Sequence, residues 1–221
     1  MISNDRPCNR PGSRVLIVGT GGQGVLTAAR WLCDCLVDRG HQIVSGQLHG
    51  MAQRGGAVQS SVMIDCGISP VIPSGRADFV LGFEPVETAR ALPLMSPRTV
   101  VLMNTAAVMP FVLAQRSVRQ RDGAEYPDVA DLVQKIQAVT EHVLTLDATR
   151  RAVDAGSSRA LNMVMLGCLL GTRGLPCTAD AFLEATVRRM PPALRETNTE
   201  AFRAGVAAVR DAAVGGALSP G

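Results

Sequence analysis

A glycine-rich segment in the first quarter of the chain contains residue types that can bind an anion. It runs from Gln47 to Val58 and holds a titratable His49, a fixed cation at Arg54 and three glycines. Glycines let backbone amides point toward a ligand, and the guanidinium fork fits phosphate or carboxylate. The alternative is a solvated turn in which both side chains are exposed. Composition alone leaves both interpretations open.

A second glycine-rich turn lies earlier in the chain. Gly19, Gly21 and Gly24 follow the apolar run Val15–Val18 and precede an amphipathic segment. This context predicts a strand, a turn and a helix whose N-terminal amides can bind an anion.

The same spacing occurs in dinucleotide-binding folds, where an acidic residue about 20 positions later holds the ribose. The second predicted strand, 41–47, contains no carboxylate, and residues 42–48 offer no basic group for a 2′-phosphate. A nicotinamide site is therefore disfavoured. A turn that only packs the helix on the sheet is a simpler alternative.

The sequence leaves the roles of two amide side chains undecided. Asn162 lies in an apolar helical pattern, where an unpaired amide costs roughly 1–3 kcal/mol. It either ties that helix to a nearby loop or contacts a substrate or partner. Gln53 has the same two interpretations.

The elements that position these residues follow from apolar periodicity. The predicted strands are 14–18, 41–47, 57–65, 77–83, 99–104 and 142–146, and the predicted helices are 22–38, 128–140, 148–155, 157–171, 178–190 and 195–213, with another starting at Glu84 and Pro85. This order predicts a three-layer, Rossmann-like α/β fold, in which a mostly parallel sheet carries helices on both faces. Weak amphipathicity places 57–65 near a sheet edge, and 105–127 is predicted to be mainly loop.

Composition limits the class of protein. The 221 residues carry a net charge of +3 without a basic block, and only 3% are aromatic, so nucleic-acid binding is not indicated. None of the six cysteines forms a Cys-x-x-Cys pair, so we expect free thiols and no iron–sulfur or zinc site in this chain. Without a signal-peptide pattern or a run of about 20 apolar residues, we expect a cytoplasmic protein with no membrane span.

The chain is long enough for one α/β domain. We expect a flexible N-terminal segment at 1–13, a single domain at 14–213 and a flexible tail at 214–221. The helix predicted from Ser157 is apolar almost all round, so it is either buried in this chain or part of an interface. We take it as one reason to expect a partner.

Three motifs together resemble the gamma-type subunit of the 2-oxoacid:ferredoxin oxidoreductases, and within them the indolepyruvate-type enzymes. They are Gly19-Thr-Gly-Gly-Gln-Gly24, His49-Gly-Met-Ala-Gln-Arg-Gly-Gly56 and Ala160-Leu-Asn-Met-Val-Met-Leu-Gly167. A further likeness at Asn198–Phe202 brings the resemblance to about 14–208.

The resemblance implies an oxidoreductase subunit that acts on an oxo group with an iron–sulfur protein as electron acceptor. The enzyme would oxidatively decarboxylate indolepyruvate or another arylpyruvate to an acyl-CoA. Thiamine diphosphate, Mg²⁺ and the iron–sulfur clusters would lie in a large partner subunit, ferredoxin or a similar protein would accept electrons from the complex, and CoA would be a substrate. No residue here is assigned to bond breaking.

The expected ligand-binding or lining residues come from the two glycine loops and the apolar helix. They are Gly19, Gly21, Gly22, Gln23, Gly24, His49, Gln53, Arg54, Gly55, Gly56 and Asn162. Two other functions stay open: a stand-alone NAD(P)-binding oxidoreductase, and a non-catalytic docking module of the same fold.

Overall fold

A computed structural model describes residues 12–49, 56–107 and 126–214 of the chain. The strands are β1 (Ser13–Thr20), β2 (Ile43–His49), β3 (Ala57–Ile64), β4 (Phe79–Gly82), β5 (Val100–Asn104) and β6 (Val143–Leu146). The helices are α1 (Val25–Val37), α2 (Pro85–Arg90), α3 (Val129–Gln137), α4 (Ala148–Asp154), α5 (Leu161–Gly171), α6 (Ala179–Arg188) and α7 (Pro192–Val214). Short 3₁₀ turns at Leu92–Leu94 and Ser158–Ala160 complete the described elements.

The six strands form one sheet in the order β2-β3-β1-β4-β5-β6. Strands β1, β4, β5 and β6 are parallel neighbours, whereas β3 runs antiparallel to both β1 and β2. The predicted mostly parallel sheet is confirmed.

Strand β3 lies beside the edge strand β2, so the expectation that 57–65 lies near a sheet edge is confirmed, although β3 itself is paired on both sides. Its weak amphipathicity comes from Ser60 and Ser61, which are buried. Their hydroxyls donate to the Gly46 and Pro70 carbonyl oxygens, at 3.3 and 2.5 Å. These hydrogen bonds let two polar residues occupy an interior strand.

Side chains of alternate residues enter two apolar cores on opposite faces of the sheet. Val15 and Ile17 of β1 pack in the core beneath α1, α5, α6 and α7. Leu16 and Val18 pack in the second core, with Ile136 of α3 and the segment that follows α2. The predicted three-layer arrangement is therefore confirmed.

Helix α5 is buried within the chain itself. Every residue from Leu161 to Leu170 is buried, and α7 crosses α5 where Gly167 and Gly205 meet. A Cβ on either glycine would overlap the opposing backbone at Phe202 or Val164. The apolar character of α5 is thus explained by intramolecular packing, so it no longer counts as a reason to expect a partner.

Several boundaries differ from their predicted positions by a few residues. Strand β1 begins at Ser13 and extends to Thr20, and β2 is shifted to Ile43–His49. A 3₁₀ turn at Ser158–Ala160 precedes α5, and α7 starts at Pro192, where proline suits the first helical turn. Most of the predicted loop 105–127 lies outside the described residues. No helix in the described part of the chain is long and apolar enough to cross a membrane.

Candidate functional site

The first glycine turn and the described ends of the second glycine-rich segment meet at the carboxyl end of β1. Strands β1 and β2 both end there, and β3 starts there, with Thr20 opposite Ala57 and His49 opposite Val58. The amide of Gly21 donates to the carbonyl oxygen of Gly56 at 2.9 Å. The first motif and the two described ends of the second, His49 and Gly56, thus lie at the carboxyl ends of the parallel strands, where open α/β sheets bind their ligands.

The first glycine loop leads directly into α1. Gly22 and Gly24 have φ values of 103° and 86°, a left-handed conformation that glycine adopts without a steric cost. Gly24 caps α1 without a side-chain hydrogen bond, and the first turn holds no acidic residue. The helix N-terminus therefore retains backbone donors and a positive dipole end that no carboxylate of this turn neutralises.

Gln23 supports the loop from within. Its Oε1 accepts a hydrogen bond from the Thr20 amide at 2.7 Å, and its Nε2 donates to the Phe83 carbonyl oxygen at 3.0 Å. Both ends of the side chain are therefore used to hold the loop against the end of β4.

Asn162 lies directly beneath the cap of α1. It is 6% exposed, and a Cβ added at Gly24 would stand 3.2 Å from its Nδ2. Its Oδ1 accepts from the Met163 amide at 2.9 Å. No hydrogen bond joins Nδ2 to another described residue, and this amide nitrogen lies beside the glycine turn.

Asn104, at the end of β5, joins three elements at the same edge. Its Nδ2 donates to the Phe83 carbonyl oxygen at 3.0 Å and to Thr149 Oγ1 at 3.1 Å. Its Oδ1 accepts from the Ala148 amide at 2.9 Å. Asn104 is not among the site residues expected from the sequence, although a polar residue that ends a buried apolar strand is a usable signal.

Glu84 and Tyr126 form a second polar pair that sequence reasoning did not find. Glu84 is fully buried, and its Oε2 accepts from the Glu87 amide at 2.8 Å, which caps α2. Its Oε1 accepts a hydrogen bond from the Tyr126 hydroxyl. Burial raises the pKa of Tyr126, and the hydrogen bond to Glu84 raises it further. No local pattern connects residues 42 positions apart.

The structure describes only part of the expected site. Gly19, Gly21, Gly22, Gln23, Gly24, Gly56 and Asn162 lie together at the carboxyl edge. For His49 the structure gives the backbone position at the end of β2. Gln53, Arg54 and Gly55 lie outside the described residues. Across 12–49, 56–107 and 126–214, no group of three or more His, Cys, Asp or Glu is placed to hold a metal ion.

The fold and the glycine motifs are those of one known protein family. The chain belongs to the pyruvate ferredoxin/flavodoxin oxidoreductase family, which it matches over residues 14–208. The family resemblance seen in the three sequence motifs is thereby confirmed.

Among the relatives, the chain is similar to two proteins named indolepyruvate oxidoreductase subunit IorB. That of Methanothermobacter thermautotrophicus is 33% identical over 89% of this chain and 97% of its own length. That of Archaeoglobus fulgidus is 31% identical over 86% of this chain and 92% of its own length.

Solved structures agree with the fold. The gamma subunit of a keto/oxoacid ferredoxin oxidoreductase from Geobacter sulfurreducens aligns with a TM-score of 0.64 at 24% identity, covering 90% of this chain and 99% of that one. A 2-oxoglutarate:ferredoxin oxidoreductase from Magnetococcus marinus aligns with a TM-score of 0.65 at 15% identity. The match covers 91% of this chain and 32% of that longer chain.

Proposed function

We propose that this chain is the small subunit of a 2-oxoacid ferredoxin oxidoreductase that converts indolepyruvate or another arylpyruvate to its acyl-CoA. The oxoacid loses CO₂, two electrons pass through iron–sulfur clusters to ferredoxin or a similar acceptor, and the acyl group is transferred to CoA. The names of the IorB relatives support the choice of substrate. The domain we assign to this role is 14–213, and we propose a cytoplasmic location.

One observation carries the proposal: the hydrogen bond from Gly21 to the Gly56 carbonyl oxygen brings the ends of the two glycine loops together. We infer from this contact that the two glycine loops form one composite surface. A single dinucleotide fingerprint would need only the first loop.

The described half of this surface has the chemistry of an anion site. The N-terminus of α1 presents backbone donors, and no side chain caps them with a hydrogen bond. The Nδ2 of Asn162 adds an amide donor beside them. We propose that these groups bind a phosphate of CoA, and that His49, Gln53, Arg54, Gly55 and Gly56 line the opposite side.

We place the remaining cofactors in a large partner subunit. An iron–sulfur cluster needs about four thiolates converging on one point. The five cysteines that the structure describes are dispersed, apart from one contacting pair, Cys35 and Cys177. Thiamine diphosphate, with its Mg²⁺, supplies the carbanion stabilisation of the decarboxylation when it is bound in the partner.

The strand order speaks against a nicotinamide site. In a dinucleotide-binding fold the second strand lies beside the first and places its acidic residue near the ribose. Here β3 separates β2 from β1, and β2 contains no carboxylate. Tight binding of a nicotinamide cofactor by the isolated chain would overturn the proposal.

The test is co-expression of this chain with its large subunit, followed by anaerobic assay of arylpyruvate- and CoA-dependent ferredoxin reduction. We expect activity in the complex only, and an iron–sulfur absorption spectrum that follows the large subunit. We expect Arg54→Ala to raise the KM for CoA about tenfold. The matched control is Arg203→Ala, which removes an exposed arginine of α7 that pairs with Glu200. Unchanged turnover and KM in Arg54→Ala and His49→Ala would favour the docking module instead.

A further inference from the structure

Two cysteines far apart in the sequence contact each other near the C-terminal end of α1, whose N-terminal end follows the first glycine loop. Cys35 lies in the last turn of α1, and Cys177 lies two residues before α6. Their sulfur atoms are 3.5 Å apart, although 142 positions separate them in the chain. The two residues are only 1% and 8% exposed. A short movement of either side chain would bring the sulfurs to bonding distance.

A guanidinium holds the elements that carry the two thiols. Arg39 donates through Nη1 to the Cys35 sulfur and to the Cys35 carbonyl oxygen, both at 2.9 Å. Its Nη2 donates to the Ala181 carbonyl oxygen of α6 at 2.6 Å. Arg39 therefore bridges α1 and α6 and places a fixed positive charge beside the sulfur pair.

The charges around the pair favour one thiolate. The hydrogen bond from Cys35 lowers the pKa of Cys177, and the nearby charges of Arg39 and His41 lower it further against the effect of burial. The same hydrogen bond raises the pKa of Cys35. The pair as a whole therefore favours a thiolate, because the Arg39 guanidinium lies beside both sulfurs and lowers the pKa of Cys177.

Only Cys177 of the pair faces open space. It lines a cavity of about 960 Å³ between the start of α6 and the C-terminal part of α7, together with Leu175, Pro176, Val206 and Arg210. Cys35 is not among the residues that line this cavity. A small oxidant in the cavity can thus reach Cys177, whereas Cys35 contacts Cys177 without lining the cavity.

We propose that Cys35 and Cys177 form a peroxide-oxidisable dithiol, in which Cys177 is the reacting nucleophile and Cys35 the resolving thiol. The oxidant class is a hydroperoxide, with hydrogen peroxide as the simplest member. The product is an intramolecular disulfide that links α1 to the segment before α6.

The reaction balances in two steps. The Cys177 thiolate attacks one peroxide oxygen: an S–O bond forms, the O–O bond breaks, hydroxide leaves, and Cys177 becomes a sulfenic acid. Hydroxide takes the Cys35 proton and becomes the first water. The Cys35 sulfur then attacks the sulfenic sulfur, so the S–S bond forms and the S–O bond breaks. The oxygen leaves as a second hydroxide, which becomes water by taking from solvent the proton that Cys177 released when it ionised. The two thiols lose two electrons and two protons, and one peroxide becomes two waters.

The other described cysteines have environments that oppose this chemistry. Burial raises the pKa of Cys33, of Cys66 and of the fully buried Cys168. None of these three is recorded in contact with another sulfur. Thiolate formation is therefore favoured at Cys177 alone among the cysteines that the structure describes.

The experiment treats the reduced full-length chain with hydrogen peroxide and follows its intact mass and its non-reduced peptide map. We expect a loss of about 2 Da, the two thiol hydrogens, and a Cys35–Cys177 cross-linked peptide. Cys35→Ser should stop at the sulfenic acid, which dimedone labels at Cys177. Cys177→Ser should lower the rate of peroxide consumption about tenfold.

The matched control is Cys33→Ser, which changes a half-buried thiol on the same helix and should form the disulfide as the wild type does. The wild-type peptide map does not depend on any variant folding. A disulfide between other cysteines, or a wild-type chain whose Cys177 remains reduced under these conditions, would overturn the proposal.

Discussion

Gln23 and Asn104 donate to the same acceptor, the carbonyl oxygen of Phe83, each at 3.0 Å. One amide comes from the glycine loop after β1 and the other from the end of β5, and the shared carbonyl follows β4. This arrangement fixes three neighbouring strand ends at the candidate site without any charged residue.

Gln23→Ala should loosen the glycine loop at a modest cost in stability. It removes the acceptor of the Thr20 amide and one donor to Phe83, so we expect a loss of roughly 1–2 kcal/mol. Urea unfolding gives the free energy, and hydrogen exchange at Thr20 reports the loop. Gln42→Ala, at an exposed position before β2, is the control and should change neither quantity.

Asn104→Ala should cost more, about 2–3 kcal/mol, because it leaves the buried Ala148 amide and the Thr149 hydroxyl without their partner. Thr149→Val removes only the hydroxyl and should cost about 1 kcal/mol. A double-mutant cycle that combines Asn104→Ala with Gln23→Ala measures the coupling of Asn104 and Gln23 through the Phe83 carbonyl oxygen. Strict additivity would mean that the shared carbonyl does not couple the two amides.

Asn162→Ala separates a binding role from a structural one. Because Nδ2 has no described hydrogen bond, we expect a small change in stability but a KM for CoA about tenfold higher in the assembled enzyme, or 1.4 kcal/mol. Asn198→Ala is the matched control, since Asn198 Nδ2 donates to the Leu194 carbonyl oxygen at 2.7 Å. That variant should lose stability with an unchanged KM. A loss of stability with an unchanged KM for CoA in Asn162→Ala would show that Asn162 has a structural role.

Tyr126 is the only tyrosine in the chain, so its ionisation can be followed directly. Since burial and Glu84 raise its pKa, the folded chain should show no phenolate absorbance just after a jump to about pH 11, whereas the urea-unfolded chain titrates near pH 10. Stability from this group is full below the unfolded pKa and is lost as the pH rises through the folded value. Tyr126→Phe provides the baseline, and immediate native phenolate would contradict the described contact.

The crossing of α5 and α7 predicts a graded response to alanine. Gly205→Ala would overlap the Val164 carbonyl oxygen and should cost about 3 kcal/mol, because neither backbone can move away freely. At Gly171 the nearest contact of an added Cβ is the Val209 side chain, at 3.2 Å. Gly171→Ala should therefore be nearly neutral, since helix propensity offsets the crowding by about 1 kcal/mol. Thermal unfolding of both variants measures the difference.

Local patterns were enough to predict much of the fold. The apolar run, the three glycines and the amphipathic segment after them lie within about 25 residues, so their periodicity identifies β1, the turn and α1. The burial of Ser60 and Ser61 in β3 was not predictable, because both look like surface residues until their carbonyl acceptors are known. Strand order depends on pairing between distant segments, which periodicity does not encode.

The candidate site also has features that the local sequence predicts and features that it does not. Glycine spacing identified both loops, because the backbone requirement is local. The Tyr126–Glu84 hydrogen bond and the Cys35–Cys177 contact join residues 42 and 142 positions apart, so only the folded chain shows them. Asn104 was within reach of sequence reasoning, as the polar end of a buried strand.

Because β2 and β3 are antiparallel neighbours, the segment between them closes a hairpin and not a crossover. The register from Ile43 opposite Ile64 to His49 opposite Val58 anchors both ends of that hairpin. We expect residues 50–55 to tolerate changes of sequence and length without a change in this register, because the two strands are held by their own pairing.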